Sequence, residues 1–426
     1  MDMKSSPTTK DIMYDIAIIG GGPAGMMAAI RAAELGRHVV LIEKNDKLGK
    51  KLLITGGGRC NVTNATFNHR VLAKKYGEKG KFLLSPLAQF DTQNTVDFFE
   101  SRGMPTMLEA EGRMFPKSGS AQSVWDVLVH DLKKHNIQTF LNAPVTKLIL
   151  KNEAITGAET PRGIIQARSF IITTGGTSRP ETGSTGDGFS WLKKLGHTIV
   201  TPDPALVPVK ISESWVHTLK GVALPNVKIT ILENGIRTET QTGKMLFTHF
   251  GISGPLVLNM SRLIGEAMKE SSVTLEFDLF PALDRANLDS KLLEHFAIVQ
   301  NKKWKNALSG FVPARFAPIL AEMSKINPEL FVNEIPRTAR LAFVEILKSL
   351  TITPTGLLGP EKAIVSSGGV ALTEIDFKTM RSHIVENLYL AGDVLDFDRP
   401  SGGFSLQICW TTGFVAGNAA AKNEQK

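Results

Sequence analysis

Residues 14–25 read YDIAIIGGGPAG and are the stretch that decides the fold. The run before the glycines is apolar and rich in β-branched side chains, and the residues after them are apolar at helical spacing. Gly20, Gly22 and Gly25 match the pattern G-x-G-x-x-G. In that pattern the first glycine permits a tight turn, the second lets the backbone approach a pyrophosphate, and the third lets helix and strand pack closely. The stretch therefore predicts a strand, a turn and a helix that bind a dinucleotide.

The next segment completes a βαβ unit. Gly36 lies where a helix C-cap glycine belongs, and residues 38–42 predict a second buried strand. Glu43 follows that strand at roughly the 20-residue offset of the acid that binds ribose hydroxyls. NAD and FAD both satisfy this local geometry.

The C-terminal region favours FAD. Residues 387–393, NLYLAGD, predict a strand that ends in Gly392 and Asp393, and they resemble the FAD-specific motif in which the aspartate binds the ribityl chain or the pyrophosphate. Residues 399–405, RPSGGFS, predict a glycine loop that opens the last helix, whose N-terminus would favour the negative charge that a flavin gains on reduction. The alternative is a loop that only packs this helix on the first βαβ unit. A strand that returns so late in the chain predicts a domain split by an insertion.

Composition limits the class of protein. The 426 residues exceed what one core usually holds, and the 42% hydrophobic and 21% charged residues are ordinary for a globular protein. Cys60 and Cys409 lack metal-ligand spacing, so we expect no metal site and a reducing compartment. No signal-peptide core and no apolar run of membrane-spanning length is visible. We expect a cytoplasmic protein without membrane association.

The net charge is +8, from 49 Lys and Arg against 41 Asp and Glu. This charge attracts polyanions such as RNA at modest salt. No arginine-rich tract or aromatic RNA-binding signature accompanies it, so a basic protein without an RNA partner is the alternative.

Residues 53–64, LITGGGRCNVTN, are the most distinctive segment of the chain. With the glycine-rich opening, LFTHFGISGP at 246–255 and PSGGF at 400–404, they resemble the BaiN/RdsA (YhiN-like) family of NAD(P)/FAD-dependent oxidoreductases. The pair TTGG at 173–176 and TGDG at 185–188 resembles the motifs of glutathione-reductase-2-type flavoproteins.

This resemblance implies an α/β fold with a split Rossmann-like FAD-binding domain, an inserted β-rich domain and a small helical domain. We expect the FAD-binding domain at 1–199 and 372–426, the β-rich domain at 200–282 and 350–371, and the helical domain at 283–349. The sequence supports this layout, because β-biased runs alternate with turns in the first insert and apolar residues have helical spacing in the second.

The resemblance also implies a flavin-dependent oxidoreductase with NAD(P)H as a transient reductant. Family members reduce activated carbon–carbon double bonds, reduce uridine to dihydrouridine in ribosomal RNA, or catalyse oxidase-type reactions. We expect ribosomal RNA uridine as the substrate. A small-molecule enoyl reductase or amine oxidase is one alternative, and a non-catalytic flavin-containing RNA-binding protein is another. The oligomeric state is left open.

Two residues are candidates for proton transfer. Cys60 follows Arg59, whose guanidinium would lower the thiol pKa, and the alternative is a small residue packed beside the flavin. His249 lies in a turn of the insert and is a reasonable donor near neutral pH, the alternative being a structural histidine at a domain junction. The residues that we expect to contact FAD are Gly20, Gly22, Ala24, Gly25, Glu43, Lys44, Lys51, Gly58, Arg59, Asn61, Val145, Thr174, Gly175, Gly176, Gly392, Asp393, Gly403, Phe404 and Ser405.

Overall fold

The computed structural model describes residues 13–359, 361, 363 and 365–423. Its strands are β1 (Met13–Ile19), β2 (Val39–Ile42), β3 (Thr63–Asn64), β4 (Thr106–Leu108), β5 (Arg113–Pro116), β6 (Gln138–Phe140), β7 (Lys147–Lys151), β8 (Ala154–Thr160), β9 (Gly163–Ile172), β10 (Ile199–Ala205), β11 (Val209–Ile211), β12 (Ala223–Glu233), β13 (Ile236–Phe247), β14 (Gly251–Ser253), β15 (Val273–Asp278), β16 (Leu350–Ile352), β17 (Pro354–Leu357), β18 (Val365–Val370), β19 (Ile375–Asp376), β20 (Arg381–Ser382) and β21 (Leu388–Leu390). Its α-helices are α1 (Pro23–Glu34), α2 (Lys50–Ile54), α3 (His69–Lys74), α4 (Leu84–Gln89), α5 (Thr92–Glu100), α6 (Ala121–Lys134), α7 (Asp187–Lys194), α8 (Ser214–Thr218), α9 (Pro255–Glu270), α10 (Arg285–Ile298), α11 (Trp304–Ala307), α12 (Ala317–Met323), α13 (Arg337–Lys348) and α14 (Phe404–Asn423).

The chain divides into two units. The first ends at Pro204 and resumes at Ala363, and the second is Ala205–Lys362. Both ends of the chain thus build one unit, as the split domain predicted from the returning C-terminal strand requires.

The first unit is built on a sheet in the order β19-β20-β21-β9-β1-β2-β6, and the β7-β8 hairpin extends β9. The pairs from β21 to β6 are parallel. Strands β1 and β2 are almost wholly buried, because a parallel sheet is covered on both faces. Each buried isoleucine in them stabilises the fold by about 1.5–3 kcal/mol relative to exposure.

Helix α1 ends as the sequence predicts. Gly36 has a φ of +79°, its amide donates to the carbonyl of Ala33, and the Arg37 amide donates to Ala32. These two bonds form a Schellman motif, which needs a residue in the left-handed region. The chain can then turn directly into β2.

Helix α14 packs closely on α1. A Cβ at Gly413 would lie 2.4 Å from the carbonyl oxygen of Ala24, and one at Gly417 would lie 2.4 Å from that of Ala28. Glycines on α14 therefore allow the last helix to lie against the backbone of the first.

The second unit contains an antiparallel sheet in the order β16-β15-β12-β13-β14-β11-β17. Helices α10 to α13 contribute Leu292, Leu320 and Phe343 to the same hydrophobic core as sheet residues such as Ile229 and Phe277. Residues 283–349, predicted as the helical domain, contain α10 to α13, and their buried apolar side chains form one cluster with those of the sheet. Helical spacing showed which side chains are buried but not what they pack against.

Candidate functional site

The carboxyl ends of four parallel strands meet at one edge of the first unit's sheet. Ile19 at the end of β1 pairs with Ile42 of β2 and with Ile172 of β9, and Ile172 pairs with Leu390 of β21. The loops that follow these strands therefore converge. Ligands of open α/β sheets bind at this edge.

Two neighbouring pockets lie among these loops. The nucleotide cleft is lined by Gly20, Gly21, Gly22, Pro23, Ala24, Glu43, Asn45, Gly49, Lys50, Lys51, Thr173, Thr174, Gly175, Thr182, Gly183, Ser184, Asp393 and Cys409. The side pocket is lined by Ile19, Gly20, Ile42, Glu43, Lys44, Ala143, Val145, Thr174, Gly183, Asp187 and Trp191. Residues common to both, such as Gly20 and Glu43, show that the two pockets adjoin.

The three fingerprint glycines have different surroundings. A Cβ at Gly25 would lie 1.9 Å from the carbonyl oxygen of Gly20, and Gly20 itself has a φ of +111°. A Cβ at Gly22 would meet no heavy atom within 4 Å and would project into the nucleotide cleft that Gly22 lines. Gly20 and Gly25 thus shape the turn, whereas Gly22 keeps the cleft wide.

The N-terminus of α1 lines the cleft without a side-chain cap. Gly22 is the N-cap residue, Pro23 occupies the first turn, and no acidic residue is in that turn. The amides of Ala24 and Gly25 precede the first intrahelical bond, which runs from Met26 to Gly22. Amides in this position and the positive end of the helix dipole bind phosphate groups.

Glu43 is held by the loops on either side of it. One carboxylate oxygen accepts a hydrogen bond of 2.7 Å from the Gly21 amide, and the other accepts bonds of 2.8 Å from the backbone and side-chain amides of Asn45. The side chain is 8% exposed. Glu43 therefore fixes the glycine turn, and it also lines both pockets.

Lys51 and Asp393 both line the nucleotide cleft and carry opposite charges. The Lys51 ammonium donates to Ser178 Oγ at 3.1 Å, and burial lowers its pKa while the Asp393 carboxylate opposes that change. Arg399 lies 3.4 Å from the same carboxylate. Cys409 Sγ is 4.0 Å from Asp393, and burial raises the pKa of that thiol.

Lys44 lines the side pocket but is engaged within the protein. Its Nζ donates to Asp187 at 2.7 Å and to Thr185 at 2.5 Å. Val145 lines the same pocket, and Gly175 lines the cleft with a φ of +75°. Gly176 is buried beside it.

Two of the buried polar atoms that have no hydrogen-bond partner in the described part of the chain bear on the cofactor site. They are Oγ1 of Thr174, at the junction of both pockets, and Oδ1 of Asn61. Buried polar atoms are nearly always paired, so an unpaired one calls for a bound group or water. With the α1 amides and the open side of Gly22, the Thr174 hydroxyl fits a cleft that holds a dinucleotide cofactor.

The loop at 55–60 does not line either pocket. Gly58 has a φ of +88°, and the Arg59 guanidinium pairs with Glu109 and lies 4.3 Å from the centre of the Phe115 ring. Arg59 is thus directed to a carboxylate and an aromatic ring rather than to the nucleotide cleft.

Cys60 corrects one expectation. The residue is fully buried, and burial raises the pKa of its thiol to about 12 although a hydrogen bond with Thr55 lowers it. The expected lowering by Arg59 is wrong, because Arg59 is paired with Glu109 and desolvation dominates. The alternative of a small buried residue describes Cys60 better.

The glycine loop at 399–405 lies against Thr63 and Asn64, which follow the loop at 55–60. Gly403 has a φ of +99°, a Cβ there would lie 2.4 Å from the Thr63 carbonyl, and the Asn64 amide donates to the Gly402 carbonyl at 3.2 Å. Phe404 opens α14 and packs edge-on against Tyr76, and Ser405 follows it in the first turn. Gly392 backs onto Ala24, where a Cβ would lie 2.8 Å from the alanine methyl.

His249 belongs to the second unit. It is exposed in the turn between β13 and β14, with its ring 4.8 Å from that of Phe250. Its role as a proton donor stays a prediction.

Sequence reasoning missed part of both pockets. Asn45, Gly183 and Ser184 line the cleft, and Trp191 lines the side pocket. The glycines of residues 182–188 were a signal, but they predicted only the start of a helix. Among the described residues, no helix is long and apolar enough to cross a membrane, and no group of His, Cys, Asp and Glu is arranged to hold a metal ion.

The fold and the cleft define a Rossmann-type FAD-binding protein. The sheet, the glycine turn at the α1 N-terminus and the returning Asp393 strand are its defining parts. Residues 14–419 match the family model described as HI0933-like protein Rossmann domain, and the chain belongs to this family.

Two curated relatives and one solved structure extend this result. The chain is 30% identical over 414 residues to the 3-dehydro-bile acid delta(4,6)-reductase of Clostridium scindens, covering 96% of this chain and 100% of the relative. It is 30% identical over 412 residues to the ribosomal RNA dihydrouridine synthase of Escherichia coli, covering 94% and 96%. The 3-ketosteroid delta1-dehydrogenase of Sterolibacterium denitrificans has a similar fold, with a TM-score of 0.55 and 14% identity over 96% of this chain and 100% of that one. The predicted family is confirmed, and the chain is a flavin-dependent oxidoreductase.

Proposed function

We propose that this chain reduces uridine to dihydrouridine in ribosomal RNA, using FAD and NAD(P)H. The two relatives described above are equally similar in sequence, and the name of one states a bile acid as substrate while the other states ribosomal RNA. The net charge of +8 favours the RNA reaction, because a polyanionic substrate gains far more from it than a small molecule with one carboxylate. This charge is the observation that carries the choice.

The residues of the first unit divide the work of holding FAD. The α1 amides at Ala24 and Gly25 would bind the pyrophosphate, and Glu43 would hold the ribose while it fixes the Gly21 turn. The apolar wall of the side pocket, with Val145 and Trp191, suits an adenine ring. Asp393 would bind the ribityl chain.

When bound and reduced by NAD(P)H, the flavin would supply the hydride, and one proton would complete the reduction of the uracil double bond. The Cys60 thiol is a poor source of this proton, because its pKa is about 12 and its side chain is buried. His249 stays our candidate donor. The chain has a single G-x-G-x-x-G sequence, which FAD would use, so no second dinucleotide site is available for NAD(P)H. NAD(P)H would therefore bind transiently where the substrate binds. An RNA substrate of this kind places the enzyme in the cytoplasm.

The second candidate function is reduction of a free enone, which the similarity to the bile acid reductase favours. It predicts rapid oxidation of NAD(P)H with a small conjugated ketone and no effect of RNA.

The two functions are separated by complementation. The chain would be expressed in an Escherichia coli strain that lacks its ribosomal RNA dihydrouridine synthase, and nucleosides of the purified ribosomal RNA would be measured by mass spectrometry. We expect dihydrouridine to return. Gly25→Ala, which is expected to lose FAD, is the control that shows whether the cofactor is needed. Ribosomal RNA without dihydrouridine, despite soluble flavin-loaded protein, would contradict the proposal.

A further inference from the structure

We infer that the segment from Phe67 to Leu84 is a surface that binds single-stranded RNA. It lies beside residues 396–404 of the first unit, the loop that leads into α14. This inference rests on the proposed function, since it names the surface that would present RNA to the site. The basic surface is defined here as Arg70, Lys74, Lys75 and Lys81 together with the exposed side chains of Phe67 and Val71.

The segment concentrates the charge of the chain. It holds five Lys and Arg residues against the single acid Glu78, so it carries +4 of a total of +8. Arg70 and Lys74 are four residues apart on α3 and share a face of that helix. A net charge this concentrated is a local electrostatic footprint rather than a diffuse property of the surface.

The cations of the basic surface are not used to stabilise the fold. Within the described residues, no carboxylate lies within ion-pairing distance of Arg70, Lys74, Lys75 or Lys81. By contrast Lys79, in the same segment, pairs with Asp396 at 2.7 Å and with Asp398 at 3.5 Å. One cation therefore anchors the segment, and the other four face solvent.

Exposed apolar side chains lie among these cations. Phe67 and Val71 are each 48% exposed, and Leu84 is 42% exposed. Single-stranded nucleic acids stack their bases on exposed aromatic rings while lysines hold the phosphates. This combination favours RNA over an acidic protein, which needs no aromatic platform.

The segment is held rigidly to the loop that precedes α14. Tyr76 is 1% exposed, its hydroxyl donates to the Phe404 carbonyl at 2.9 Å, and its ring meets the Phe404 ring edge-on. Asn68 caps α3 by accepting from the amides of Arg70 and Val71. The basic surface is thus fixed beside residues 396–404, which include the glycine loop expected to meet the flavin.

Binding of a fluorescein-labelled oligouridylate to the FAD-loaded protein tests this surface. The variant Arg70→Glu/Lys74→Glu/Lys75→Glu is compared with Lys133→Glu/Lys134→Glu/Lys194→Glu, which makes the same charge change at the exposed ends of α6 and α7. We expect the first variant to bind roughly tenfold more weakly or worse. The slope of log affinity against log salt should become shallower by about 2, because each of the three lost phosphate contacts contributes roughly 0.7. The control is expected to stay within about threefold of wild type.

A second variant tests the stacking platform separately. Phe67→Ala is expected to weaken binding by about fivefold or more without changing the salt slope, because base stacking is not ionic. Flavin absorbance and Tm establish that each variant is folded. Equal loss in the two triple variants, or wild-type binding by the first, would overturn the inference, as would no RNA binding by wild type.

The same variants distinguish this inference from the proposed function. Normal dihydrouridine formation by the first triple variant would overturn the surface and leave the function standing. If the first triple variant loses oligouridylate binding and the wild-type chain restores no dihydrouridine, the surface is supported and the function is contradicted.

Discussion

At the scale of single residues, Gly22 and Gly25 separate two roles that a glycine fingerprint combines. Gly25 is confined by the Gly20 carbonyl, and Gly22 borders the cleft with no atom near its missing side chain. The sequence pattern predicted that glycine is required at both positions. The structure shows why: Gly25 is required by close packing, and Gly22 by the open cleft beside it.

Gly25→Ala and Gly22→Ala are therefore expected to fail in different ways. The first should lower the free energy of unfolding of the apoprotein by about 1–3 kcal/mol and lose FAD, since its Cβ overlaps rigid backbone. The second should leave apoprotein stability unchanged, because its φ of −79° suits alanine, while FAD affinity falls. Urea unfolding and FAD titration of both apoproteins measure these quantities. Equal destabilisation of the two variants would contradict the assignment of Gly22 to the cleft.

Burial of the Cys60 thiol predicts a pH dependence. The folded thiol keeps its proton up to about pH 12, whereas the unfolded thiol loses it above its ordinary pKa of 9.0. The folded state then binds more protons between these values, so stability falls as the pH rises through this window. From about pH 8 to about pH 10, wild type should lose about 1 kcal/mol more than Cys60→Ser. Identical pH slopes in urea unfolding would show that the thiol ionises in the folded protein.

At the scale of elements, the contact of α14 with α1 couples the end of the chain to the cofactor cleft. Gly413 lies against the Ala24 carbonyl, and Ala24 itself lines the cleft. A shift of α14 therefore moves the amides that would bind the pyrophosphate.

Gly413→Ala is expected to destabilise the fold by about 1–3 kcal/mol and to weaken FAD binding, although alanine favours a helix. The matched control is Gly265→Ala in α9, whose Cβ would meet only the end of the flexible Leu357 side chain, at 2.6 Å. Thermal unfolding with and without FAD compares them. A larger effect in the control would contradict close packing of α14 on α1.

The elements themselves were predictable because their periodicity is local. The strands ending at Ile19 and Leu390, and the helix that starts at Phe404, follow from apolar runs and glycine turns. Long-range pairing was not predictable: Glu109 lies fifty positions beyond Arg59, and nothing in the Arg59 loop indicates it. Trp191 and Asp187 of the side pocket were missed for the same reason, since β2, α7 and the segment around Val145 form this pocket together.

At the scale of the whole molecule, the fold indicates the cofactor, and we propose that the positive charge favours an RNA substrate. The FAD-binding unit is shared with oxidoreductases of other substrates, such as the 3-ketosteroid dehydrogenase of similar fold. This chain has a net charge of +8, and residues 67–84 around α3 carry +4 of it. We therefore expect activity on RNA to fall steeply with salt, while oxidation of NAD(P)H without RNA changes little.

The most direct measurement mixes anaerobically reduced holoenzyme with ribosomal RNA that lacks dihydrouridine. Flavin reoxidation and dihydrouridine formation are followed in the same samples, and fully modified ribosomal RNA is the control. The proposed function predicts reoxidation by the unmodified RNA with one dihydrouridine formed per flavin oxidised, and none with the control. Reoxidation by a free conjugated ketone, with none by unmodified ribosomal RNA, would contradict it.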